Sequence, residues 1–91
     1  MSKIVVERQH KLGREGARDM AQQLAERLAE QYNVSYQWVG DRLEFRRTGA
    51  TGSIDVDESQ VRVSLTLGLL LSGLSGTLKR EIEEALDKRL M

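Results

Sequence analysis

From Ser35 to Leu67 the apolar residues recur at every second position within each run, and this alternation constrains the fold more than any other feature of the chain. Tyr36 and Trp38 alternate with Ser35 and Gln37, and Leu43 and Phe45 with Arg42, Glu44 and Arg46. Ile54 and Val56 flank Asp55, and Val61, Val63, Leu65 and Leu67 alternate with Arg62, Ser64 and Thr66. Successive side chains on a strand point to opposite faces, so these runs predict strands that share one greasy face and one solvated face. Gly40-Asp41 supplies a two-residue hairpin turn. Pairing Val39 with Arg42 then sets Trp38 against Leu43 and Tyr36 against Phe45, four large side chains on one face. Pairing Val56 with Val61 across Asp57-Glu58-Ser59-Gln60 sets Asp55 opposite Arg62 on the other. Thr48 to Thr51 are expected to turn the chain ahead of a strand over Gly52 to Val56.

On either side the period lengthens. Ala17, Met20, Ala21, Leu24, Ala25, Leu28 and Tyr32 fall at spacings of three and four, which predicts a helix over Arg14 to Tyr32. Asn33 tolerates the left-handed backbone that ends many helices and is the expected stop, at a position where glycine is the commoner choice. Lys3 to Gln9, with Ile4-Val5-Val6, predicts a first strand. Leu78, Ile82, Ala85, Leu86 and Leu90 mark a closing helix, with Ser75 or Thr77 as its cap. At 91 residues the chain has surface enough to bury one core, so residues 1–91 form a single domain. The fold class is α+β: strand, helix, four-strand meander, helix. It forms a five-stranded antiparallel sheet with the first strand beside the last and both helices on the one face that lacks charge. This order resembles the layer of the TATA-box-binding-protein type and, more loosely, helix-grip ligand binders, a likeness of fold alone.

Fourteen basic side chains balance fourteen acidic ones, which disfavours a strongly electrostatic partner. The chain has no cysteine, hence no disulfide framework and no thiolate chemistry. Met1-Ser2-Lys3-Ile4-Val5-Val6-Glu7 meets charge too early for a signal peptide, and Leu65 to Leu74 is far shorter than the roughly 20 apolar residues of a membrane span. A cytoplasmic protein without a membrane span is expected.

No motif supplies a catalytic, cofactor-binding or metal-binding set. His10 is the only histidine, and a local hydrogen bond at the strand-to-helix junction is its expected role. Gly68 and Gly73 have the spacing of P-loop glycines, but Leu74 stands where the phosphate-binding lysine belongs. Gly49-Ala50-Thr51-Gly52 and Gly73-Leu74-Ser75-Gly76 copy the KH loop without its two flanking helices. Asp55 with Asp57, and Glu81 with Glu83 and Glu84, fall on expected solvent faces where nothing tunes them for acid–base work. Arg42, Arg46, Arg47 and Arg62 lie on or beside the outer sheet face among Glu44 and Asp55, a weak footprint for nucleic acid. Trp38, Tyr36 and Phe45 are expected in the core, where truncating Trp38 to alanine would cost about 3 to 5 kcal/mol.

Leu67-Gly68-Leu69-Leu70-Leu71-Ser72-Gly73-Leu74-Ser75-Gly76 remains, an apolar connection where a polar loop is the norm. In one reading Leu69, Leu70, Leu71 and Leu74 tuck beneath the closing helix, with the glycines permitting the bends. In the other, three successive leucines cannot all point inward, and those left outside form a hydrophobic contact patch.

Val6-Glu7-Arg8-Gln9-His10-Lys11-Leu12-Gly13 ahead of an alanine-rich helix, Trp38-Val39-Gly40-Asp41-Arg42-Leu43-Glu44-Phe45, and Leu67-Gly68-Leu69-Leu70 ahead of a short charged helix together resemble the bacterial polyhydroxyalkanoic acid system family. The likeness runs over nearly the whole chain. It implies a non-enzymatic accessory role in polyhydroxyalkanoate metabolism or at its storage granules, with no cofactor and no assigned catalytic residue. Under that reading Leu69, Leu70, Leu71 and Leu74 contact the granule surface, a granule protein or a second copy of the chain. A helix-grip module holding an acyl chain is the alternative and requires an internal cavity of a few hundred cubic ångströms. Nucleic-acid binding on the polar sheet face is a further alternative.

Overall fold

The computed structural model describes residues 2–90. The chain runs β1 (Ser2–Gln9), α1 (Gly13–Tyr32), β2 (Ser35–Val39), β3 (Arg42–Arg47), β4 (Ala50–Val56), β5 (Gln60–Leu67), a short 3-10 helix (Leu69–Leu74) and α2 (Ser75–Leu90). The five strands form one sheet in the order β1-β5-β4-β3-β2, and every neighbouring pair is antiparallel. The first strand therefore lies beside the last, and β2 is an edge. Trp38 pairs with Leu43, Tyr36 with Phe45, Val56 with Val61 and Asp55 with Arg62, the register the alternation demands. A slip by one residue would turn every apolar side chain of a strand toward water.

One sheet face carries Ile4, Val6, Leu43, Phe45, Ile54, Val56, Val61, Val63, Leu65 and Leu67, all buried. Both helices pack on it, α2 against β1 and α1 against β2 to β4. Ala17, Ala21 and Ala25 repeat every four residues on α1 and are fully buried. Their small side chains let the helix axis approach the sheet, while Met20, Leu24 and Leu28 fill the space beside them. Leu78, Ile82, Ala85 and Leu86 do the same for α2; the side chain of Leu90 lies outside the described residues.

Asn33 ends α1 in the left-handed conformation, φ 56° and ψ 47°, with its N–H donating to Ala29 O at 2.9 Å. Arg47 reaches back from β3 and donates to Tyr32 O at 2.6 Å, placing a cation on the negative end of the helix dipole. The β4–β5 turn is closed by Asp57, whose carboxylate accepts the N–H groups of Ser59 at 2.9 Å and Gln60 at 2.6 Å. Those two donors hold its pKa below the usual carboxylate range.

Three local expectations are corrected. Thr48 to Thr51 do not all turn: Ala50 and Thr51 pair with Arg47 and Arg46, and only Thr48-Gly49 lie outside the strands. Gly49 carries the positive φ, 84°, that so tight a turn requires. The leucine connection is not a loop but the 3-10 helix, and α2 follows it directly from Ser75, so Thr77 lies inside the helix. Trp38 and Tyr36 are half-buried, unlike Phe45 at 4% exposure. They sit on the edge strand, which α1 covers only with its flank.

Candidate functional site

The turn between β3 and β4 meets the end of β5, where Gly68 N–H donates to Gly49 O at 2.7 Å. The Gly68 carbonyl in turn accepts Leu71 N–H at 3.1 Å and the Ser72 hydroxyl at 3.0 Å, which hangs the 3-10 helix from this glycine. With three residues per turn, Leu71 and Leu74 share a face. Both line a cleft with Leu28, Tyr32, Val34 and Leu78. Leu71 is half-buried against the core, and Leu74 forms the rim at 41% exposure. The same geometry turns Leu69 and Leu70 outward, to 84% and 95% exposure. The four candidate contact residues thus divide: Leu69 and Leu70 stand free, Leu74 is at the edge, and Leu71 is folded in. The reading in which all four tuck beneath the closing helix does not hold for Leu69 and Leu70.

The cleft holds only about 50 Å³ of space. A water's share of liquid volume is about 30 Å³, and pockets for small ligands begin near 300 Å³. The internal cavity required of an acyl-chain binder is not found among the described residues. A larger hollow of about 460 Å³ lies on the outer sheet face beside Gln37, Glu44, Arg46, Thr51 and Ser53, but it is open and polar. Arg42 donates to Asp55 at 2.7 Å and Arg62 lies 3.4 Å from Glu7, so two of the arginines on that face are neutralised. No aromatic residue occupies its outward positions as a stacking platform.

Titratable groups elsewhere serve architecture. His10 is buried, its Nδ1 accepts Leu12 N–H at 3.1 Å, and its Nε2 lies 3.0 Å from Asp57 O. Since Nδ1 accepts, the ring proton is assigned to Nε2, donating to that carbonyl. His10 N–H also donates to Ser59 O at 2.9 Å, so the residue brackets the β1–α1 junction to the β4–β5 turn with both ring nitrogens occupied. Tyr32 donates to Glu81 at 2.6 Å across the two helices; this bond, then burial, pushes its pKa up to about 12, away from any role as a proton carrier near neutrality. Glu83 and Asp87 hold Arg8. Among the described residues no group of three or more histidines or carboxylates is placed to hold a metal ion. None of their helices is long and apolar enough to cross a membrane.

A family model described as "Putative polyhydroxyalkanoic acid system protein" matches residues 4–90, nearly the whole chain. The chain belongs to that family. Searches of curated proteins and of solved structures return no match. The stretches that carry the likeness to the polyhydroxyalkanoic acid system family divide in the fold. His10-Lys11-Leu12 is the junction bracket. Trp38 and Gly40-Asp41 form a clamp on α1, in which Arg18 lies 4.2 Å from the Trp38 ring centroid and donates to Gly40 O at 2.6 Å. Trp38 Nε1–H donates to Gln22 at 2.8 Å, and Asp41 takes Arg18 at 3.1 Å and Arg14 at 3.6 Å. Leu67-Gly68-Leu69-Leu70 leads to the two most exposed of the described large apolar residues, Leu69 and Leu70. Sequence reasoning missed the Tyr32–Glu81 bond and the Arg47 cap, because both join residues assigned to different faces of different elements. The only signals were a tyrosine at the end of α1's apolar stripe and a second arginine ending β3.

Proposed function

We propose that this polyhydroxyalkanoic acid system protein is a non-enzymatic, cytoplasmic accessory protein of polyhydroxyalkanoate metabolism that touches the storage granule through Leu69 and Leu70, with Leu74 at the edge. The reading is carried by two adjacent leucines at 84% and 95% exposure on a helix anchored at Gly68. Exposed singly, large apolar residues need no explanation; two side by side beside an apolar cleft mark a contact surface. Burying two or three leucines releases about 4 to 8 kcal/mol before association costs, which suits reversible adsorption to an aliphatic polyester.

The test is a fluorescent fusion in polymer-accumulating cells, with the Leu69→Asp/Leu70→Asp double variant beside it and circular dichroism to confirm folding. Signal on granules, lost in the folded variant, is the expected result. A diffuse signal in both overturns the proposal.

A further inference from the structure

The balanced charge of the chain is not balanced in space. The strand register assigns each residue to an end of the sheet. The start of β1, the C-terminus of α1, the β3–β4 turn, the end of β5 and the start of α2 all share the end that carries the leucines. Five cations gather there. Lys3 pairs with Thr66 at the end of β5, and Arg46 and Arg47 immediately precede the turn that holds Gly68. Lys79 and Arg80 follow Leu78 of the cleft in the second turn of α2.

None of the five is in an ion pair among the described residues, nor are Lys11, Arg27, Lys88 and Arg89, whereas Arg8, Arg14, Arg18, Arg42 and Arg62 all are. Those pairs lie toward the opposite end, with Glu7, Asp41, Asp55, Glu83 and Asp87. From Val61 to Arg80 the chain has no acidic residue. Glu81, the first acidic residue after that stretch, is engaged by Tyr32.

Resting on the reading that the leucine end is the contact surface, we infer that it docks on an anionic phospholipid interface, with Leu69 and Leu70 entering the acyl boundary, Lys3, Arg46, Lys79 and Arg80 meeting headgroup phosphates, and Arg47 adding its charge from the end of α1. Apolar tips ringed by lysine and arginine are the chemistry of peripheral lipid binding, since the tips favour the acyl region while the ring is attracted to anionic headgroups. A second copy fits less well. The three exposed leucines offer on the order of 400 Å², against about 800 Å² per partner in a stable interface, and two such ends would bring ten unpaired cations together.

The test uses the full chain in cosedimentation with phosphatidylcholine vesicles, with vesicles rich in phosphatidylglycerol, and with lipid-free polyhydroxyalkanoate particles. Binding to the phosphatidylglycerol vesicles should exceed that to phosphatidylcholine at least about tenfold and collapse as the Debye length shrinks from about 10 Å at 0.1 M salt to about 3 Å at 1 M. Lys79→Glu/Arg80→Glu, at two exposed positions, should cut vesicle binding at least about tenfold and leave binding to the bare polymer unchanged. Equal binding to both vesicle types, salt-insensitive binding, or full vesicle binding by the charge-reversed variant overturns the inference. Binding to the bare polymer alone overturns it while leaving the granule reading intact; binding to neither surface overturns both.

Discussion

At Gly52, on the inward face of β4, a methyl group would come within 2.5 Å of the Ser64 carbonyl oxygen and collide with the Leu65 side chain. The backbone oxygen cannot swing aside, so Gly52→Ala should destabilise the fold by about 1 to 3 kcal/mol, read from the midpoint of urea unfolding. Sequence alone made this residue a strand position and left its glycine unexplained, because the collision is with a neighbouring strand. Asn33 is the opposite case. Its left-handed conformation was legible from residue type and position at the end of a periodic run, since the requirement is local.

At the scale of elements, α1 is held at both ends by polar contacts that the apolar stripes do not encode. Near its start, Arg18 and Gln22 clamp Trp38 on the edge strand. Because that ring is only half-buried, Trp38→Ala should cost about 2 to 3 kcal/mol in thermal or urea unfolding, below the range for a fully buried tryptophan. Near its end, Tyr32 donates to Glu81 of α2. The folded tyrosine pKa is raised from 10.0 to about 12, so the stability gained from this bond is fully present below pH 10 and is lost as pH rises toward 12. Tyr32→Phe should abolish that part of the alkaline loss, seen by comparing urea midpoints of the two proteins across this window. The helices themselves were readable from spacing; the partners that pin them were not, because each pin joins residues remote in the chain, by 16 positions for Gln22–Trp38 and 49 for Tyr32–Glu81.

For the whole molecule, the filled core predicts that saturating long-chain fatty acid leaves the melting temperature unchanged, since a ligand stabilises only what binds it. A rise of several degrees would restore the acyl-binder reading. Sequence by itself determined the sheet face, the registers of the β2–β3 and β4–β5 hairpins, the two helical stripes and the family, because alternation, turn residues and period are properties of neighbouring residues. It also narrowed the proposed contact surface to Leu69, Leu70, Leu71 and Leu74. Only the tertiary structure decided which of these leucines stand in solvent, because a 3-10 turn hung from Gly68 aims Leu71 inward and Leu69 and Leu70 out. It alone also separated the charges, since strand order and register bring Lys3, Arg46, Arg47, Lys79 and Arg80 to one end and ion-pair Arg8, Arg14, Arg18, Arg42 and Arg62 elsewhere. A count of charges along the chain carries no information about that distance.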